Sequence, residues 1–277
     1  MFDQCPKEYH LYYLDPHYKK EKYNLMKQPE NIRPALVLGG AIHNAITLFY
    51  HLPHEKQTLE ELLLSLRETW RNFDVAPKME ELPLGKVGGF KTIEEERQAY
   101  REAQEMLENF FEMRSPDWDI FYRPTKDFVN SIEDYKGLIT PLNEGADISG
   151  KFDLIIEEKD GLRIIDFKTG RNDREDVFQL HFYKILAEKN FQIPVAKGSF
   201  FFLKSKTEKE HNLEGQDAKE LENEILERIE NIKQTVTFEA QPSTLCQFCL
   251  FRNFCSEGGL KTTGSREEIE APSDLPF

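Results

Sequence analysis

Two short stretches of this chain carry side chains whose type and spacing suit hydrolysis of a phosphodiester. Asp153 closes Gly150-Lys-Phe-Asp153, and Asp166 and Lys168 stand in Ile165-Asp-Phe-Lys168. The region reads as a β-hairpin. Ile148–Ile156 alternates loosely, Lys159-Asp160-Gly161 is a turn signal, and Leu162–Phe167 resumes as a strand. Two carboxylates on paired strands can converge on one cation, and a hard ion such as Mg²⁺ takes carboxylate oxygens plus waters. Lys168 lies two positions beyond Asp166 and so projects to the same face of a strand. There a lysine can help deprotonate a metal-bound water or stabilise charge developing on a phosphate. The plain alternative is a solvated strand end, since Asp-x-Lys commonly closes a hairpin. Gly150-x-x-Asp153 on the neighbouring strand weighs against it.

The cysteines make a second constellation. Cys5 stands alone near the start, while Cys246-x-x-Cys249 and Cys255 cluster near the end. Four thiolates suit either tetrahedral zinc or an iron–sulfur cluster, provided that the two chain ends meet. So few cysteines do not make a disulfide scaffold, and reduced thiols in a cytoplasmic protein are expected.

These residues need elements to hold them. Residues 6–33 read as a short helix followed by a loop. Pro34 suits the first turn of a helix running through His43 to Tyr50. Thr58–Phe73 and Thr92–Met113 are amphipathic, and Pro77–Gly89 is the punctuated connection between them. After Pro116 the character changes to the hairpin, a helix over Asp176–Glu188, a strand over Val195–Leu203 and a helix over Asp217–Lys233. The order predicts an α/β core with a helical N-terminal part.

The joint order of motifs resembles the RecB-type branch of the PD-(D/E)xK nucleases. Its pattern is carried by Gly150-Lys-Phe-Asp153, by Ile165-Asp-Phe-Lys-Thr-Gly170, and by Gln179-Leu-His-Phe-Tyr183 as the Gln-x-x-x-Tyr signature. Upstream, Gly39-Gly-Ala-Ile-His43 is similar to the family's Gly-x-x-His helix. Phe152 stands where the family pattern has Pro, a departure that this branch tolerates. The resemblance implies a restriction-endonuclease-like mixed sheet flanked by helices. It makes His43, Asp153, Asp166 and the backbone carbonyl of Phe167 ligands of Mg²⁺ or Mn²⁺. Lys168 becomes the catalytic lysine, and Gln179 and Tyr183 become the helix that lines the site and meets DNA. The one-plus-three cysteines resemble the iron–sulfur subgroup of this branch, which includes the AddB nuclease domain, exonuclease V and CRISPR-associated relatives. That likeness implies a [4Fe-4S] cluster on Cys5, Cys246, Cys249 and Cys255, stapling the two termini, with zinc as the alternative occupant.

Composition sets outer limits. The chain has 277 residues, 50 acidic against 36 basic, and a net charge of -14. That balance argues against a protein that coats nucleic acid non-specifically, but not against one that grips a few phosphates in a cleft. No apolar run reaches the roughly 20 residues needed to cross a bilayer. The N-terminus has no signal-peptide character, and there is no Gly-x4-Gly-Lys-[Ser/Thr] loop for a motor. The expectation is one RecB-type domain over residues 1–256, a DNA exonuclease acting on single-stranded or frayed ends, with the helices between His43 and Pro116 arching over the site. The competing reading is a catalytically silent or complex-dependent iron–sulfur subunit that binds DNA. Residues 257–277 read as a flexible acidic tail. Its Asp274-Leu-Pro-Phe277 end is similar to the C-terminal tip of bacterial single-stranded-DNA-binding proteins, which docks on protein partners; an ordinary solvated end is the alternative.

Overall fold

The structure is a computed structural model and describes residues 1–26, 28, 31–71, 89–125, 137–143, 146–170, 173–215 and 218–257. The tail tip, Phe73 and nearly all of the Pro77–Gly89 connection lie outside the described residues.

The centre of the fold is a five-stranded mixed sheet. In spatial order it runs β1 (Asp119–Tyr122), β4 (Leu154–Glu158), β5 (Gly161–Lys168), β6 (Val195–Phe202) and β7 (Thr207–Asn212). All neighbours are antiparallel except β5 and β6. A parallel pair needs a crossover, and helix α6 (Val177–Phe191) supplies it. The turn at Lys159-Asp160 forms as expected, with Glu158 opposite Gly161.

Strand β5 is buried on both faces, which accounts for its nearly continuous apolar run. Ile165 and Phe167 face one core with α3 (Pro34–Tyr50), α4 (Leu59–Arg71) and α5 (Ile93–Met113). Leu162 and Ile164 face the other, against α6, α7 (Ala218–Gln234) and a separate ribbon of β2 (Leu138–Asn143) and β3 (Ala146–Gly150). The run Phe200-Phe201-Phe202 on β6 fills both cores alternately, as a period of two requires.

Several expectations need correction. Ile148–Ile156 is two strands in two sheets. Residues 151–153 leave the ribbon because Phe152 turns into the core at 0% exposure, and the chain re-enters pairing at Leu154. Residues 6–33 hold more helix than expected: α1 (Pro6–Tyr9), a π-helical turn over His10–Leu14, and α2 (Tyr18–Met26). The Asp15 carboxylate accepts the His17 and Tyr18 amides, so the helix restarts beyond Pro16. Of the stretch between His43 and Pro116 expected to arch over the site, residues 72–88 lie outside the described residues. Leu62, Leu66 and Trp70 of α4 and Met106, Leu107 and Phe110 of α5 are all buried against the sheet face that carries Phe167. Strands β1, β2 and β7 went unforeseen; β7, Thr-Glu-Lys-Glu-His-Asn, is an edge strand whose polar sequence carries little strand signal.

Candidate active site

Register brings the two carboxylates together. Leu154 pairs with Ile165, so Asp153, one residue ahead of β4, falls beside Asp166. Both oxygens of Asp153 are engaged: Oδ1 lies 2.8 Å from His43 Nδ1, and Oδ2 accepts the Phe167 amide at 2.9 Å. Phe167 thus enters the site through its backbone N–H. Asp166 is 5% exposed. Its Oδ1 accepts from Gln179 Nε2 at 3.0 Å, and its Oδ2 faces the Lys168 ammonium at 3.1 Å. Lys168 also donates to Gln179 Oε1 at 2.9 Å, and Gln179 Nε2 reaches the Tyr183 hydroxyl at 3.2 Å. His43, Asp153 and the Phe167 amide therefore form one bonded group, and Asp166, Lys168, Gln179 and Tyr183 form a second beside it, drawn together from α3, the β4 entry, β5 and α6.

Local sequence explains how these elements approach so closely. A Cβ on Gly39 would sit 3.0 Å from Thr169 Oγ1, just past Lys168, so this glycine lets α3 cross the end of β5. A Cβ on Gly150 would meet Leu186 Cδ2 at 2.9 Å and Tyr183 Cε1 at 3.2 Å. The glycine of Gly-x-x-Asp thus makes room for α6, and Phe152 then packs against the Tyr183 ring at 4.9 Å. Asp176 caps α6, accepting from the Gln179 amide, which fixes the turn from which the Gln179 side chain reaches the carboxylates.

The electrostatics are those of two neighbouring carboxylates, Asp166 buried and Asp153 half-buried. Burial pushes the Asp166 carboxyl up, the Asp153 charge pushes it further, and Lys168 and His43 only partly offset this, leaving it at about 6. Burial opposes protonation of His43, yet the Asp153 carboxylate outweighs it and raises the imidazole above its ordinary value. Gln179 lines the site as expected, its amide turned inward onto Asp166 and Lys168.

Among the described residues, no three His, Cys, Asp or Glu side chains are gathered closely enough to hold an ion as placed. His43 and Asp153 are bonded to each other, and Lys168 covers Asp166. The donor chemistry nevertheless fits a hard divalent ion. Two adjacent carboxylates and an imidazole are present, and the buried Asp166 Oδ2 is met by the Lys168 ammonium, a cation held where an ion would sit.

The four cysteines line one cavity, although as placed no three of them are close enough to hold an ion. The chain ends meet: Lys7 donates its amide to the Glu239 carbonyl at 3.2 Å, and Phe2 and His10 pack on Phe238. Leu11, Leu25 and Phe251 form a small core beside them. Cys5, Cys246, Cys249 and Cys255 are unpaired and line one cavity of about 50 Å³, room for several water-sized bodies. Cys5 Sγ accepts the Glu8 amide, and Cys246 Sγ accepts the Ser243 amide at 3.3 Å. Burial, then the Glu8 charge, pushes the Cys249 thiol well up, so as placed it is a neutral thiol. Glu8 and Arg33 also line this cavity, and since neither belongs to a cysteine-spaced motif their place there is not legible from spacing.

The family model of the PD-(D/E)XK nuclease superfamily matches residues 1–256. The mixed sheet flanked by helices fits the core of that family, and the chain belongs to it. A search of curated proteins finds no match. Among the described residues, no helix is long and apolar enough to cross a membrane.

Proposed function

We propose that the chain is a metal-dependent DNA nuclease, working as an exonuclease on single-stranded or frayed ends, within a single RecB-type domain over residues 1–256. One observation carries this reading. Residues more than a hundred positions apart, from His43 to Lys168, form two bonded groups that strand register sets side by side, one on the half-buried Asp153 and one on the buried Asp166. His43, Asp153, Asp166 and the Phe167 carbonyl would hold Mg²⁺ or Mn²⁺, whose chemistry is to lower the pKa of a bound water and polarise a phosphoryl oxygen.

The chain's own residues do the rest. Asp153 is oriented by the Phe167 amide and cannot swing away. Gln179 fixes Asp166 and Lys168 relative to one another, so the ammonium stays aimed at the pocket without rearrangement during reaction. There Lys168 orients or deprotonates the attacking water and offsets the charge that grows on the phosphate as the bond to the sugar oxygen breaks. The preference for single strands rests on depth: with Asp166 5% exposed, a flexible end reaches the site more readily than a stiff duplex. The cysteine cavity would hold a [4Fe-4S] cluster, or zinc, as a staple between the chain ends, consistent with reduced thiols in a cytoplasmic setting.

End-labelled linear single strands, linear duplex and closed circular single strands test this with Mn²⁺, Mg²⁺ or EDTA. Linear single strands should be degraded, circles spared, and EDTA should stop the reaction. Cut circles would make the enzyme an endonuclease. Inert DNA in every arm would favour the silent or complex-dependent subunit.

A further inference from the structure

The cysteine cavity is lined by more than thiols. Arg33, the residue that immediately precedes α3, lies on its wall together with Arg252, Lys7, Glu8 and Glu257. The Arg33 guanidinium stacks 4.7 Å from the centroid of Phe248, the residue between Cys246 and Cys249. Its Nη1 is buried and has no hydrogen-bond partner. A buried guanidinium nitrogen without an acceptor is costly and uncommon. Arg252 adds a second cation to the same wall, and the repulsion is felt. Burial and then Arg252 push Arg33 down to about 10, an unusual depression for this group. Two guanidiniums share a cavity whose lining carboxylates are those of Glu8 and Glu257.

We infer that Arg33 is the counter-charge of an anionic, four-thiolate centre in this cavity, and that it ties occupancy of the cysteines to the start of the helix that bears His43. The inference rests on the reading of the cysteines as a metal or cluster site. The charge balance is the same for either occupant. Four thiolates outnumber the two positive charges of a zinc ion or of an oxidised [4Fe-4S] core, so the loaded centre is a net anion. Arg33 would meet that anion with its unpartnered nitrogen while Phe248 holds the plane of the guanidinium. Residue 33 also fixes the beginning of α3: Leu36 and Val37 both donate their amides to its carbonyl at 3.1 Å. A filled cavity therefore anchors α3 ten residues before His43. An empty one leaves a buried cation unbalanced at that point. Arg33 is in these terms a positioning residue.

The test uses the whole protein, purified without oxygen, and reads bound iron, sulfide and zinc before and during challenge with a chelator. Wild type, Arg33→Lys, Arg33→Met and Cys249→Ser are compared. Wild type should carry metal and Cys249→Ser should not. Arg33→Met should lose its metal about tenfold faster than wild type, the factor set by roughly one lost charge interaction. Arg33→Lys, which keeps the charge but not the fork, should fall between. Hydrogen exchange at residues 34–43 should rise on chelation in wild type and be high from the start in Arg33→Met. Equal release from Arg33→Met and wild type overturns the inference. So does equal loss from the Lys and Met variants, because the charge would then not matter. Should Arg33→Met not fold, Arg33→Lys and the wild-type exchange data decide alone: unchanged exchange on chelation refutes the link to α3. Wild type without metal in the cysteines defeats the cysteine reading itself, a result distinct from any Arg33 outcome.

Discussion

The two constellations of this chain are built in opposite ways. The carboxylate–lysine site sits on regular elements, and its charges answer one another: Asp153 with His43, Asp166 with Lys168, Gln179 between them. The cysteine cavity sits on short turns where the chain ends meet, and its wall carries an arginine nitrogen that nothing answers. The first site is complete as a folded object. Damage to the first should therefore remove chemistry and leave the fold, and damage to the second should remove stability first.

The largest effect expected is on rate. Lys168→Ala should slow cleavage by about 10²–10⁴-fold, the usual scale for losing one preorganised electrostatic group. Its melting temperature should stay close to that of wild type; a collapse in stability would show that the two regions are not separable in this way. In the cysteine region, Cys249→Ser should cost about 3 kcal/mol or more of apparent stability, because bound metal is folding free energy. Denaturant melts of the metal-loaded proteins read this directly, and matching midpoints would break the contrast.

Gly150→Val is a smaller perturbation of the first region. Its side chain must displace Leu186 and the Tyr183 ring, at about 1–3 kcal/mol, and should disturb Gln179 through Tyr183. Cleavage rate and thermal melting should both fall, unlike in Lys168→Ala. Unchanged melting would mean that α6 does not lean on this glycine.

The smallest expected effect is a pH dependence in metal-free protein. Asp166 has a folded pKa of about 6, above its unfolded 3.8, so its stabilising contribution is full below about pH 4 and is lost as pH rises through 6. Relative to wild type, Asp166→Asn should gain about 2 kcal/mol of stability between pH 4 and pH 7. A flat difference across that window would mean that the buried carboxylate is not strained by its surroundings.

How far the sequence disclosed all this depends on what each residue's neighbours are. Asp153, Asp166, Lys168 and Gln179 were legible because they stand in short motifs on a hairpin and a helix, and register does the rest. The four cysteines were legible by count and spacing. The two-sheet arrangement was not: Ile148–Ile156 reads as one strand until Phe152 is seen to be buried between two strands that pair with different partners. Polar β7 carries no alternation of apolar residues. That Gln179 bonds both Asp166 and Lys168 depends on which way α6 faces after the crossover, which its helix position alone does not fix. Arg33 was invisible for a like reason: its place at the cysteine cavity is set by the meeting of the chain ends.

The most direct test of the central claim is the single-turnover rate at which Asp166→Ala, with Mn²⁺ saturating, cleaves an end-labelled DNA single strand. Asp166 is the buried carboxylate held between Lys168 and Gln179. The rate should fall at least about a thousandfold below wild type in protein that melts normally. Cleavage at the wild-type rate would contradict a metal-dependent nuclease centred on this carboxylate.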